Sequence, residues 1–136
     1  TFNFYFMTAF KHIIKTIAIC AIVFSCSDIS EETQESDKQQ LEILKYEIEQ
    51  LVDSSTCSEN LDCDFIAFGS KPCGGPWSYL AYPTTIDVDL LLNKVNYYNE
   101  KERLFNIKWG IISDCAVVTP PTSLECIEGK CTAIYN

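Results

Sequence analysis

Histidine is almost missing from this chain. Its 136 residues contain one, His12, and everything beyond that position has no imidazole. A serine or cysteine nucleophile activated by histidine is therefore excluded there, and so is a histidine-containing zinc site. No cysteine pair has the CxxC spacing of a redox dithiol. Gly74-Gly75 lacks the lysine-serine ending that lets a glycine loop cradle phosphates. Basic residues are scarce: ten Lys and Arg stand against 19 Asp and Glu, for a net charge of −9. Nucleic-acid surfaces are basic, so nucleic acid is excluded as a partner. Long apolar runs are absent too. The longest, Thr16 to Ser25, is shorter than the roughly 20 residues that span a bilayer.

That short run does have a meaning. Lys11, His12 and Lys15 precede it, and a small residue follows. A basic start, a brief apolar stretch and a small-residue cleavage site make a secretory signal peptide. Met7 is the expected start, which makes residues 1–6 upstream sequence and 1–25 the leader. Val23-Phe24-Ser25-Cys26 resembles the lipobox of bacterial lipoproteins. The resemblance implies a diacylglycerol on the Cys26 sulfur and cleavage just before it. Two or more acyl chains hold a protein stably to a membrane. All 19 acids and eight of the ten bases lie from Cys26 onward, giving that part −11. The acids crowd its start. Residues 26–35 read as a lipidated, acidic tether, either a plain spacer or an export signal built on Asp28, Glu31 and Glu32. The expected location is the bacterial cell envelope, on an outer-membrane lipoprotein facing the periplasm or the surface.

Residues 36–53 read as an amphipathic helix, with Ser36 and Gln39 at capping-box spacing. Leu41, Leu44, Ile48 and Leu51 recur at three- and four-residue steps, a stripe expected to pack on the domain. Residues 54–136 form the domain itself. Short strands are expected over Asp64–Phe68 and Trp77–Tyr82, then a helix capped by Thr84 and Asp87 and running to about Leu104. A strand should follow from Ile107 through Val118, then a hairpin turning at Glu128-Gly129. The order of elements predicts an α+β domain, an antiparallel sheet with two helices on one face.

Six cysteines fall in this domain: Cys57, Cys63, Cys73, Cys115, Cys126 and Cys131. An even count behind a signal peptide implies three disulfides. The spacings Cys57-x5-Cys63 and Cys126-x4-Cys131 are wide for zinc, so neither metal nor cofactor is expected. Cys73 in the central loop and Cys115 at the head of a strand should pair. Cys126 and Cys131 face each other across a hairpin, at a separation slightly too long for an unstrained bridge. Bridges from Cys57 and Cys63 to these two would close longer loops and stabilise more, and they are the expected pattern.

Lys71-Pro72-Cys73-Gly74-Gly75-Pro76-Trp77-Ser78-Tyr79 is the most distinctive segment. Glycine opens positive φ and proline fixes it, so the path is unusual and stiff. Trp77, Tyr79 and Tyr82 are expected on one sheet face, as core if it points inward and as a platform for peptide or sugar if outward. With Ser113-Asp114-Cys115-Ala116-Val117-Val118 and Cys126-x2-Gly129-x-Cys131, the segment resembles a family of small secreted bacterial proteins of unknown function. The resemblance spans roughly residues 57–132 and implies shared fold and disulfides but no activity. The serine-glycine signature of the membrane-bound lysozyme inhibitors is not matched.

The expected function is a membrane-anchored, non-enzymatic binding or inhibitory domain, with Lys71, Pro72, Trp77 and Tyr79 as its binding residues. An envelope or extracellular protein or glycan is the partner class. A structural envelope lipoprotein is one alternative. A hydrolase working through carboxylates such as Asp114, Asp62 and Asp64 is the other, and Glu59, Asp62 and Asp64 lack the full calcium-loop pattern.

Overall fold

The first helix, α1 (Gln34–Val52), begins two residues before the expected start at residue 36. The computed structural model describes residues 33–136; the leader, Cys26 and most of the tether lie outside the described residues. Thr33, not Ser36, is the N-cap. The Ser36 N–H donates to Thr33 Oγ1 and the Thr33 N–H donates to Ser36 Oγ, both at 3.1 Å. A serine hydroxyl thus does what the Gln39 side chain was expected to do. Glu35 and Asp37 then fall in the first turn, where carboxylates favour the positive end of the helix dipole. Ile48 is buried, and Leu41, Leu44, Leu51 and Val52 pack around it against the core. The stripe therefore packs on its own domain, as its length implied.

A 3-10 turn (Asn60–Asp62) leads into β1 (Cys63–Phe68), which pairs antiparallel with β2 (Ser78–Pro83). Side chains alternate across a strand, so Ile66, Phe68, Leu80 and Tyr82 share the face that meets the helices. The second helix, α2 (Val88–Trp109), starts at Asp87, whose carboxylate accepts from the Leu90 N–H at 2.9 Å. It buries Leu91, Val95 and Tyr98 at the expected spacing. Tyr98 stacks on Phe68 with ring centroids 4.8 Å apart.

Two expectations fail at the end of α2. The helix runs five residues past Leu104, to Trp109, and stops at Gly110, which adopts φ 60°. Glycine there meets no Cβ penalty and ends the helix cleanly. The strand expected from Ile107 to Val118 therefore does not form. Residues 111–121 carry no strand, and Cys115 sits at φ 53°, a conformation that breaks a ladder. Instead of one sheet there are two. β3 (Ser123–Ile127) and β4 (Lys130–Ile134) make a separate hairpin. Its two turn residues, Glu128 and Gly129, both have positive φ, at 51° and 78°, which is the turn whose twist suits two strands. β4 packs alongside β2 without joining its ladder. The α+β class holds: two helices and two small antiparallel sheets, stapled by three disulfides.

The bridges are Cys57–Cys126, Cys63–Cys131 and Cys73–Cys115. Cys126 and Cys131 do stand opposite each other on the hairpin, yet each bonds away from its neighbour. Two adjacent bridges thus fasten the start of the domain to its end.

Candidate functional site

The loop from Gly69 to Trp77 joins β1 to β2, and α2 holds it by its backbone. Beyond the apolar stripe of α2, the same side of the helix turns polar. The Gly69 N–H donates to Asn99 Oδ1 at 2.7 Å, and Asn99 Nδ2 donates to the Ala67 carbonyl at 3.1 Å. The Ser70 N–H donates to Glu102 Oε2. Asn106 Nδ2, from a buried side chain, donates to the Ser70 carbonyl at 2.7 Å. Buried backbone groups need partners, and these three side chains supply them. Within the loop, the Lys71 N–H donates to the Gly75 carbonyl at 2.8 Å and the Gly74 N–H to the Lys71 carbonyl at 2.9 Å. The Cys73–Cys115 bridge ties the far side to residues 111–121.

Lys71 points inward. Its side chain is 6% exposed, and Nζ donates to the Ala116 carbonyl at 2.7 Å and to Asp114 at 3.4 Å. The ammonium also lies 5.1 Å from the centre of the Trp77 ring, within cation–π range. Spent this way, the ammonium is turned inward rather than presented on the outer surface of the loop. Pro72 is half-buried beside it.

The aromatic residues divide by parity. Tyr82 is in the core at 3% exposure, whereas Trp77 is 41% exposed. Residue 79 is odd and 82 is even, so the pleat of β2 sends them to opposite faces, while Trp77 lies just before the strand. This corrects the expectation of one shared face. Tyr79 lies edge-on to Phe65, centroids 5.6 Å apart. Tyr79 and Phe65 thus lie on the face turned away from the helices, whereas the indole of Trp77 lies over Gly69 and beside the Lys71 ammonium. A recess of about 380 Å³ opens beside the loop, lined by Ser70, Gly75, Pro76, Asn96, Asn99 and Arg103 among others.

The carboxylates named from sequence are held in local roles. Asp62 accepts the N–H groups of Ser58 and Glu59. Asp64 accepts from its neighbour Phe65, and Asp114 accepts from Ala116 at 3.1 Å. The Sγ atoms of Cys57, Cys63 and Cys131 lie within 4.8 Å of one another, but all three sulfurs are bonded in disulfides.

Two kinds of carboxylate result. Hydrogen bonding from the Ala116 N–H, then from Lys71, holds Asp114 below its ordinary value. Hydrogen bonds from Lys108 and Trp109 do the same for Asp37. Burial instead pushes Glu102 above its ordinary 4.5. The lowered pair contribute stability above the ordinary carboxylate range that is lost as pH falls. Glu102 has the opposite sign: its native form holds the proton more readily than the unfolded chain, so its contribution grows as pH falls through the raised value toward 4.5. Glu102→Gln removes that gain. Urea titrations from neutral pH down to about 4.5 should show stability falling more steeply in the variant than in the parent. A parallel pair of curves would mean Glu102 does not titrate with a raised value.

Sequence reasoning missed Asn99, Glu102 and Asn106. The available signal was their spacing, since they continue the Leu91, Val95, Tyr98 stripe by helical steps. No family model, curated protein or solved structure matches this chain.

Proposed function

We propose that this chain is a lipid-anchored, extracytoplasmic binding domain, tethered through Cys26, with no enzymatic activity of its own. The carrying observation is the Gly69–Trp77 loop. Three α2 side chains and a disulfide fix it, yet it leaves Trp77 41% exposed. A rigid, partly exposed tryptophan offers contact area at low entropic cost, and the loop's clamping has already been met in folding. The ligand is an envelope or extracellular protein or glycan, met by Trp77, Tyr79 and the recess beside the loop. Lys71 and Pro72 serve by shaping the loop.

A panel of envelope glycans, lysozymes and proteases tests the reading. Trp77→Ala should weaken the bound member at least about tenfold, or roughly 1.4 kcal/mol, with far-UV circular dichroism unchanged. Undiminished binding by Trp77→Ala would move the site elsewhere. Turnover of any panel member that is lost in Asp114→Asn would overturn the non-enzymatic reading. The anchor is checked apart from the ligand: Cys26→Ser should shift the protein out of the membrane fraction or leave an uncleaved precursor, seen by mass.

A further inference from the structure

The outer side of α2 carries a second, unrelated pattern. Lys94, Lys101 and Lys108 stand seven residues apart, almost two helical turns, so they fall in one row. Leu90, Tyr97 and Leu104 have the same spacing and form a neighbouring row, 42%, 52% and 46% exposed. α1 lies alongside, and the two helices enclose a trough. Its main cavity is about 420 Å³, with Leu41, Ile43, Leu44, Tyr97, Leu104 and Phe105 as its apolar lining and Lys101 on its wall. A second cavity of about 280 Å³ shares Leu44 and Tyr97 and continues to Lys94. Ion pairs cross between the helices at both ends, Lys108–Asp37 and Lys94–Glu47, each 2.7 Å. Asp37 and Glu47 are ten residues apart on α1, so the trough runs about 15 Å at 1.5 Å per residue.

Lys101 sits between those two pairs. Among the described residues no carboxylate lies within ion-pair distance of it; its ammonium rests 5.3 Å from the centre of the Tyr97 ring. Three of the chain's ten bases therefore line one wall of an apolar trough; Asp37 and Glu47 offset two of them, and the charge of Lys101 is left over. Ligand sites between helices have this make-up: a few hundred cubic ångströms, mostly apolar, with a few placed polar groups.

We propose that this trough binds a free single-chain anionic amphiphile of the fatty-acid type. The hydrocarbon chain lies over Leu44, Tyr97, Leu104 and Phe105, and the carboxylate accepts from Lys101 Nζ. Charge selects the class. A neutral amphiphile leaves the Lys101 ammonium without a counter-charge, and a cationic one places a like charge against it. The elongated shape selects one chain. The proposal is independent of the Trp77 face.

A photoactivatable laurate analogue added to the full membrane-anchored chain tests it. After illumination, peptide mapping should place the label on the segments holding Leu44, Tyr97, Leu104 and Phe105. Excess laurate should suppress labelling, while dodecanol and dodecyltrimethylammonium should not. Lys101→Glu should reduce labelling at least about tenfold, and so should Leu104→Gln, whereas Lys130→Glu on the far hairpin should not. Melting curves of the variants keep loss of fold apart from loss of binding. Equal competition by all three amphiphiles, or full labelling of Lys101→Glu, would refute the proposal. So would label confined to other surfaces, including the Trp77 face. Cross-linked dimers joined through Tyr97 or Leu104 would mean that a second copy covers the trough, and would also refute it.

Discussion

Removing the Cys57–Cys126 and Cys63–Cys131 bridges together should unfold the domain at room temperature. The bridges span 69 and 68 residues and run almost in parallel, from adjacent points at the domain's start to facing positions on the final hairpin. In the chain-entropy description, one such loop is worth about 4 kcal/mol. With one bridge in place, the other closes only the short ring through 57–63 and 126–131, worth about 3 kcal/mol on the same scale. Cys57→Ser with Cys126→Ser should therefore cost about 3 kcal/mol, and the same pair at 63 and 131 a similar amount. The quadruple variant should lose about 7 kcal/mol, comparable to the 5–15 kcal/mol that holds a typical domain folded. Urea unfolding of each form measures this. Single-bridge variants that melt with the parent would show that the hairpin is held by packing rather than by its bridges. Peptide mapping without reduction provides the companion check. Cleavage after Lys130 should leave the Cys126 and Cys131 fragments both joined to the one tryptic peptide that holds Cys57 and Cys63. Further cuts after glutamate, at Glu59 among them, should then leave Cys126 with Cys57 and Cys131 with Cys63.

Gly69→Ala should be the most damaging single substitution in the loop. Gly69 has φ 83°, and a Cβ built there would lie 2.7 Å from Trp77 Cδ1, 3.1 Å from Trp77 Cβ and 3.0 Å from Glu102 Oε2. An L-residue in that conformation costs about 1–2 kcal/mol before any clash. The clash cannot be relieved by a small shift. Trp77 is held by its own N–H, which donates to the Phe68 carbonyl at 3.0 Å, and by the Lys71 ammonium beside its ring. Glu102 is held by the Ser70 N–H. The indole must therefore leave its place or the loop must part from α2, and about 3 kcal/mol in total is expected. Gly74→Ala and Gly75→Ala are the controls. Both positions have positive φ, at 94° and 80°, but open space where the Cβ would go. They should cost about 1–2 kcal/mol and leave the near-ultraviolet dichroism of Trp77 unchanged. If Gly69→Ala were no worse than Gly74→Ala, the packing of Trp77 over Gly69 would not matter to the loop.

The elements with a clear period or a local chemical signal were legible without coordinates. Leu91, Val95 and Tyr98 mark the buried face of α2 by their spacing, and Leu41 to Leu51 mark that of α1. The Glu128-Gly129 turn sets its hairpin because a two-residue loop demands two positive φ angles. The six cysteines imply their bridges because long loops gain most from closure. The division of Tyr79 from Tyr82 was also present in the numbering, since odd and even positions on a strand face opposite ways.

Other features depend on segments far apart in the chain, and no local signal encodes them. Lys71 reads as an exposed loop cation until residues 111–121 arrive and the Ala116 carbonyl takes its ammonium. Residues 107–109 are apolar enough for a strand, yet Gly110 in a left-handed conformation lets α2 keep them as helix. Asn99, Glu102 and Asn106 continue the buried stripe of α2 by spacing, but the backbone groups they hold come from the loop at Gly69 and Ser70, some thirty residues earlier. By itself, then, the sequence determined the α+β class, the buried faces and the bridging pattern, because periodicity and cysteine spacing are properties of short stretches and of chain entropy. Tertiary structure alone decided which polar side chains clamp the loop, that Trp77 stays exposed while Lys71 does not, and that the trough between α1 and α2 exists. Each of those is set by which buried polar or apolar surface a distant segment happens to cover.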